Sequence, residues 1–533
     1  MTSSCNQNIA LFTAGCFKKR IALAMLSGVL LILSFAPFGV ALLAWVAFVP
    51  LFFALRTGDM DKVETGLKKA FVIGIIAGFV FYVGTVYWVV NSMFFYGGVP
   101  LYFSVPIMLV LALYLAVYTG VFAMFAHVTN GMGGLSRLVL LPSAWVGLEY
   151  LRAHLLSGFP WVLLGYSQMP YLPVIQIADV TGVWGISFVV MTMNAAIFFL
   201  SSALIERRGV FPVKELLVAF ALVASILSYG FIRLKQVEGD FFSWRSFRVG
   251  VAQGSIEQSL KWDEAFQGST MEIYRALTKK AADLGAHLVI WPESAAPFFI
   301  NGDGPDAAVV GTIAKESRTF VLTGIDTYAR NPLSRTTDFF NSAVLFSPSG
   351  EMTAKYDKTH LVPFGEYVPL KRFLPFIKKL TAGVGDFKEG PGPVPLKFIS
   401  DGVGMLICYE AIFPEIARGA VKNGAAVLVN ITNDAWFGKS SAPYQHFDMS
   451  ALRAVENRVF LLRSANTGIS GVVDPTGRVR KKLGLFERDV INAVVGMRSG
   501  SPTIYTIYGD VFAYWCLAVS SAFCAAIIFK RRS

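Results

Sequence analysis

GMLICYE, residues 404–410, sets a short apolar run directly before a thiol, a phenol and a carboxylate. Such a run, bounded by polar residues, reads as a buried strand. In layered α/β sheets the groups that do chemistry collect at the carboxyl ends of strands. The same rhythm recurs on either side of it. SFRVGVAQ (residues 246–253), HLVIW (287–291), residues 319–325, residues 342–346 and AAVLVNI (425–431) read as further strands. Between them, residues 264–284 carry Phe266, Met271, Ile273, Leu277 and Ala281 at helical spacing, SPSG (347–350) marks a turn, and a helix is expected from Pro414 to Asn423. Strands alternating with helices predict an α/β layered domain over residues 237–500.

Outside that stretch the composition changes. Of the 533 residues, 54% are hydrophobic and only 15% charged, against roughly 25% charged in an average soluble domain. Mean hydropathy is +0.55. These values exclude a disordered chain and argue against a wholly soluble one. The excess is concentrated in apolar runs at about 20–36, 39–55, 70–91, 101–127, 138–155, 173–203, 215–232 and 511–529. A membrane-crossing helix needs about 20 such residues, so we expect a polytopic α-helical membrane domain of about eight helices. Seven fall in residues 1–236, and the eighth falls in 501–533 with a basic tail.

Basic residues in short loops set orientation. Lys18, Lys19, Arg20, Arg56, Lys62, Lys68, Lys69, Arg137, Arg207, Arg208, Lys214, Lys530, Arg531 and Arg532 fall on one side of this arrangement, while the opposite short loops before the seventh helix carry only Arg152. The expectation is that both termini are cytoplasmic and residues 237–500 extracytoplasmic. Most of the formal charge of +12 lies outside the soluble stretch. That stretch has no basic stripe interleaved with aromatics, so no nucleic-acid partner is expected. Glu149, Arg152 and Asp179 lie in or near apolar segments, where charges are functional candidates unless they pair or reach the interface.

Cys408 is the only cysteine of the soluble stretch; Cys5, Cys16, Cys516 and Cys524 lie elsewhere. A lone thiol outside the cytoplasm invites oxidation, and its bland reading is a buried structural residue. Two other charged residues give it a chemical reading. Glu293 closes HLVIWPE, where burial would suit a general base, and Lys358 could stabilise the oxyanion formed when a thiolate attacks an acyl carbonyl. Taken singly, Lys358 also fits a solvated lysine and Glu293 a helix-start carboxylate. His360 could in principle pair with the thiol, although satisfied structural roles are the ordinary reading of it and of the other histidines here, His287 and His446. No histidine pair has metal-ligand spacing and no glycine-rich phosphate loop appears, so neither metal nor cofactor is expected.

WPES (291–294), Lys358 and CYE (408–410) resemble the Glu-Lys-Cys triad of the nitrilase superfamily. With a polytopic block before it and a last helix after it, the chain is similar to bacterial apolipoprotein N-acyltransferases. QG (253–254), QSLKW (258–262), VPFGEYVP (362–369), NITNDAWF (430–437) and GFPWVLLGY (158–166) match as well. The resemblance implies an αββα sandwich with Glu293 as base, Lys358 as oxyanion cation and Cys408 as acyl-carrying nucleophile. Glu366, Tyr409 and Glu410 would support that triad, and Trp262 would handle substrate. It further implies ping-pong transfer of a phospholipid sn-1 acyl chain, usually from phosphatidylethanolamine, to the α-amine of the diacylglyceryl-cysteine of an apolipoprotein. The setting would be the bacterial inner membrane.

Within residues 369–387, Phe373, Leu374, Phe376 and Ile377 could dip into lipid beside Lys371, Arg372, Lys378 and Lys379. The same segment could instead pack on the domain's own surface. Two other readings stay open. A membrane-anchored amidase of the same superfamily would use the same triad with water as acceptor. A transporter with an external binding domain would form no adduct on Cys408.

Overall fold

The computed structural model describes residues 2–56, 66–205, 211–259, 261–301, 304–330, 336–367 and 387–532. The expected lipid-contacting arm at 369–386, together with Lys62, Arg207 and Arg208, lies outside the described residues. The chain separates into two compact units. One comprises residues 1–90, 101–231 and 510–533, and the other residues 91–100 and 232–509.

The first unit is helical. Among the described residues, five helices are long and apolar enough to cross a membrane: Leu67–Val86, a run from Leu101 to Gly131, Val183–Ile205, Val213–Phe242 and one from Val511 to Lys530. Gly134–His154 has comparable length but carries Arg137, Glu149 and Arg152. The helix expected from about residue 20 begins at Thr2 and ends at Ser34. Two expected spans are broken. In place of 39–55 there is a 3-10 turn, Ala41–Trp45, and a helix Val49–Leu55. Seven residues rise only about 10 Å, a third of the hydrocarbon core. In place of 173–203 there are Leu172–Ile175, Ala178–Thr181 and Val183–Ile205, broken at Gly182, whose φ is +65°.

Small residues let Leu67–Val86 and Leu101–Val128 approach closely. A Cβ added at Gly74 would lie 2.5 Å from the Ala123 Cβ, and one at Gly78 would lie 2.7 Å from the Thr119 hydroxyl. The intramembrane charges brace backbone. Glu149 Oε1 accepts the Leu164 N–H at 2.6 Å, and Arg152 donates to the carbonyls of Phe159 (3.1 Å) and Trp161 (2.8 Å). Tyr229 donates its hydroxyl to Asp179 at 2.7 Å. The GFPWVLLGY stretch is therefore pinned by the two charged residues of Gly134–His154 nearest to it.

The second unit contains thirteen strands among its described residues: β1 Ser246–Gln253, β2 Leu288–Ile290, β3 Ala296–Ile300, β4 Phe320–Arg330, β5 Thr337–Phe346, β6 Met352–Asp357, β7 Leu396–Phe398, β8 Asp401–Ile407, β9 Ala425–Thr432, β10 Leu461–Ala465, β11 Gly471–Val473, β12 Val479–Lys482 and β13 Asp489–Gly496. They form two sheets, ordered β13-β1-β2-β4-β5-β6, with β3 beside β4, and β12-β11-β10-β9-β8-β7. The centre of each is parallel: β1, β2 and β4 in one, β8, β9 and β10 in the other. Parallel strands are covered on both faces, and the burial shows it. Val249, Val251, Leu288, Ile290 and Leu322 of the first sheet share a core with Met405, Ile407, Val427, Val429 and Leu462 of the second. On the first sheet's outer face, Ala252, Val289 and Val321 pack with Met271, Tyr274 and Leu277 of the helix Glu264–Asp283 and with Val310 and Ile313 of Pro305–Ser317. Pro414–Lys422 and Ala442–Asn457 belong to the second sheet's side. The result is the αββα sandwich.

Candidate active site

Three chain segments leave the sandwich and meet. Cys408 follows β8 directly and Lys358 follows β6 directly, while Glu293 lies three residues beyond β2. All three are buried, at 8%, 1% and 7% exposure. Glu293 and Lys358 thus come from one sheet and Cys408 from the other.

Lys358 is held by carboxylates. Its Nζ donates to Glu366 Oε1 at 3.0 Å and lies 3.7 Å from Glu293 Oε1. Burial alone would lower its pKa, but Glu366, Glu293 and Glu410 outweigh that and hold it above the usual lysine range. It is a fixed cation at physiological pH. Asn341 on β5 donates to both Glu293 Oε1 and Glu366 Oε1, each at 2.8 Å, while the Asn433 N–H donates to Glu293 Oε2 at 2.9 Å. Val362 N–H fixes the second Glu366 oxygen at 2.8 Å.

The surroundings of the Cys408 thiol favour its protonated form. Burial pushes its pKa up, the Glu293 carboxylate adds to this, and the Lys358 ammonium opposes it without prevailing. Cys408 sits at φ +53°, a left-handed conformation costing a non-glycine residue of order 1–3 kcal/mol. It turns the chain sharply out of β8 into the 3-10 turn Cys408–Ile412. Ser294, next to Glu293, also has positive φ, +44°. That turn packs against Gly324 on β4, where an added Cβ would stand 2.5 Å from both the Glu293 Cα and the Ser294 N. Only glycine fits so close an approach.

Glu410 ties the two sheets' contributions together. Its Oε1 accepts from the N–H groups of Thr359 (2.6 Å) and His360 (3.1 Å) and from the Thr359 hydroxyl (2.9 Å). Its Oε2 accepts the Ile407 N–H at 2.7 Å, and Tyr356 OH reaches Oε1 at 3.0 Å. Burial pushes its pKa up, yet three backbone N–H groups can only donate, so the set is built for the carboxylate. One side chain thereby locks the residue before Cys408 to the residues after Lys358. Tyr409 packs edge-on to Phe413, ring centres 5.0 Å apart. Trp262 stacks on Phe299 at 5.5 Å and stays 41% exposed. It is joined to the site through its neighbour Lys261, which is buried and donates to the Glu293 carbonyl at 3.1 Å.

Several residues here carry no isolated sequence signal. Asn341 lies inside an ordinary apolar strand. Lys261 and Asp326 are a buried, electrostatically linked pair, with burial pulling the lysine pKa down and pushing the aspartate up. Asn433 and Asp434 were within reach as part of NITNDAWF. His360 makes no pair with the thiol; its ring lies 4.0 Å from that of Phe413. His446 instead reaches the Cys408 carbonyl, its Nε2 at 3.1 Å.

The chain was compared with known proteins. The family model for the apolipoprotein N-acyltransferase N-terminal domain matches residues 27–196, and that for carbon-nitrogen hydrolase matches 248–505. A relative from Geobacter metallireducens named apolipoprotein N-acyltransferase is 43% identical over 96% of this chain and 95% of its own. One of the same name from Methylococcus capsulatus is 32% identical over 96% of both. Among solved structures, Nit3 of Saccharomyces cerevisiae, a nitrilase-superfamily member, aligns with 47% of this chain and 90% of its own at 18% identity and a TM-score of 0.38.

Proposed function

Because the chain belongs to the apolipoprotein N-acyltransferase family, we propose that Glu293, Lys358 and Cys408 carry its N-acylation of apolipoproteins. It is a bacterial membrane enzyme of the acyltransferase class. The acyl chain passes from the sn-1 position of a phospholipid to the α-amine of diacylglyceryl-cysteine through a cysteine thioester, in the last step of lipoprotein maturation.

In the proposed chemistry, Glu293 takes the thiol proton as Cys408 Sγ bonds to the ester carbonyl carbon. The oxyanion develops beside the Lys358 ammonium. Collapse breaks the C–O ester bond. Glu293 returns the proton to the departing lysophospholipid oxygen, and the acyl group stays on sulfur. In the second half, the acceptor amine attacks the thioester carbon, gives up a proton to Glu293, and the thiolate leaves and is reprotonated. The second proton transfer has the same geometry as the first, so one base serves both. The observation that carries this reading is the convergence of three buried groups from two sheets, with Lys358 clamped between Glu293 and Glu366.

Phosphatidylethanolamine is the proposed donor, and a diacylated apolipoprotein the acceptor. Glu366 and Glu410 hold the triad, Tyr409 flanks it, and Trp262 meets substrate at its exposed edge. The membrane domain is assigned to residues 1–236, the catalytic domain to 237–500 on the periplasmic side, and the last helix with its cytoplasmic tail to 501–533. The test is intact-protein mass spectrometry of the purified enzyme after incubation with phosphatidylethanolamine vesicles. One acyl mass should appear on wild type, be absent from Cys408→Ala, and be discharged by a diacylated peptide bearing a free α-amine. An acyl mass persisting in Cys408→Ala would remove the nucleophile assignment.

A further inference from the structure

The left-handed turn at Cys408 is held from one side by Glu410, which accepts the Ile407 N–H, and from behind by further groups. Behind it lies a polar cluster sealed inside the second sheet. His446, on the helix Ala442–Asn457, brings Nε2 to 3.1 Å from the Cys408 carbonyl oxygen. Asn430, on β9, reaches the same oxygen at 3.5 Å while donating to the Leu406 carbonyl at 2.8 Å. The other edge of the imidazole, Nδ1, lies 3.0 Å from both Asp434 Oδ1 and an Arg463 nitrogen. Arg463, on β10, also pairs with Asp434 Oδ2 at 2.7 Å and hydrogen-bonds the Asn430 side-chain oxygen. All four side chains are at most 1% exposed.

A carbonyl oxygen only accepts, so the contact requires a hydrogen on Nε2. The neutral Nε2–H tautomer and the imidazolium both supply it, whatever the protonation of the Nδ1 edge. Burial and the adjacent guanidinium hold His446 below its usual pKa, while the Asp434 carboxylate beside Nδ1 favours a hydrogen on that edge. The Asp434 carboxylate, kept at about 2 by Arg463 and His446 against the effect of burial, anchors the arginine.

We propose that His446 is a positioning residue for acyl transfer: by donating Nε2–H to the Cys408 carbonyl, with Arg463 and Asp434 fixing its ring, it holds the nucleophile's peptide in the turn that directs Sγ toward the acyl carbon. The reaction's bond changes are untouched, because the contact that carries the role is to the Cys408 carbonyl oxygen. The inference rests on the reading of Cys408 as nucleophile.

The test uses two full-length variants of nearly equal side-chain length, His446→Gln and His446→Met. Glutamine can place an N–H where Nε2 stood and methionine cannot. The rate of acyl-thioester formation on Cys408 from phosphatidylethanolamine vesicles is followed by mass spectrometry over a range of donor concentrations. His446→Met should lose about 10²-fold in maximal rate, the scale of losing one preorganised donor, with the half-saturating donor concentration unchanged. His446→Gln should stay within about tenfold of wild type. Equal rates in the two variants, or a loss residing in half-saturation, would overturn the proposal. Should His446→Met fail to fold, His446→Gln decides alone: retained acylation supports the grip, and a folded variant as inert as Cys408→Ala refutes it. If wild type itself forms no thioester, the nucleophile reading fails and takes this inference with it, an outcome distinct from failure of the variants alone.

Discussion

At the level of single residues, the site is an exercise in placing charges where burial opposes them. Lys358 keeps its proton because two carboxylates stand within 4 Å. Cys408 keeps its own because the site is dry and anionic. His360 shows the opposite outcome. Burial against Phe413, helped by the Lys358 cation, lowers its pKa from 6.5 to about 4. The sign of the effect on stability follows. Below pH 6.5 the unfolded chain takes up a proton that the folded protein refuses until about pH 4, so stability supplied by neutral His360 is complete above 6.5 and drains away over that window. At 1.36 kcal/mol per unit, the loss is at most about 3 kcal/mol. His360→Phe keeps the ring packing and removes the proton site. Its melting temperature should therefore fall less between pH 7 and pH 4.5 than that of wild type. Identical acid shifts in the two proteins would contradict the assignment. A second residue-scale expectation concerns Glu410. Glu410→Ala strands the N–H groups of Thr359, His360 and Ile407, each costing about 1–3 kcal/mol when unpaired in the interior. Both melting temperature and acylation should fall steeply, whereas Glu410→Gln should recover part of the stability. A Glu410→Ala enzyme with wild-type melting would show that the five donors are satisfied elsewhere.

At the level of elements, legibility in the sequence tracked how a strand meets its surroundings. β1, β2, β8 and β9 stood out as apolar runs because they are covered on both faces. β12, with the sequence VRKK, is exposed along its whole length and has no apolar pattern to find. β6 alternates around Lys355 and Tyr356 and hides inside a polar stretch. In the membrane unit, hydropathy located apolar segments without seeing their breaks, because Gly182 and the turn before Val49 interrupt helices without interrupting hydrophobicity. Glu293 and Cys408 were legible as candidates since each follows an apolar strand, whereas Lys358, behind β6, was singled out for its chemistry and for the motif around it. Asn341 and His446 were not, because each acts through a contact that only the folded sheets create. Gly324 belongs to this scale too, since its role is the fit of β4 against the turn bearing Glu293. Gly324→Ala should displace that turn. Overpacking of this kind costs about 1–3 kcal/mol, so the protein should still fold, with melting lowered by a few degrees. Acylation should drop far more, about 10²-fold for a displacement near 1 Å. Thioester formation at the wild-type rate in Gly324→Ala would mean that the turn can yield without moving the base.

For the whole molecule, the decisive property is sidedness. The proposed topology rests on basic residues, and the structure sharpens one term of that argument. Arg152, the single basic residue assigned to the outer short loops, is 1% exposed and donates to the carbonyls of Phe159 and Trp161. Its guanidinium also lies over the Tyr82 ring at 5.4 Å. It is an internal brace and adds nothing to the charge of a loop. The outer side is then left with no basic loop residue before the soluble unit, against the clusters at 18–20, 68–69 and 530–532 on the other. In this topology a thiol-reactive, membrane-impermeant maleimide reaches the catalytic unit from the periplasm and does not reach the C-terminal tail. Lys279 lies on the helix Glu264–Asp283 with its side chain 75% exposed, so Lys279→Cys offers an accessible reporter. Ser533→Cys reports on the tail. In a background whose cysteines other than Cys408 are replaced, cells with a permeabilised outer membrane should label Lys279→Cys at once. Ser533→Cys should label only after the inner membrane is opened. The reverse pattern would place the catalytic unit in the cytoplasm and overturn the proposed orientation. Labelling of both positions in intact inner membranes would mean that the two ends of the last helix lie on the same side, leaving Val511–Arg532 unable to span.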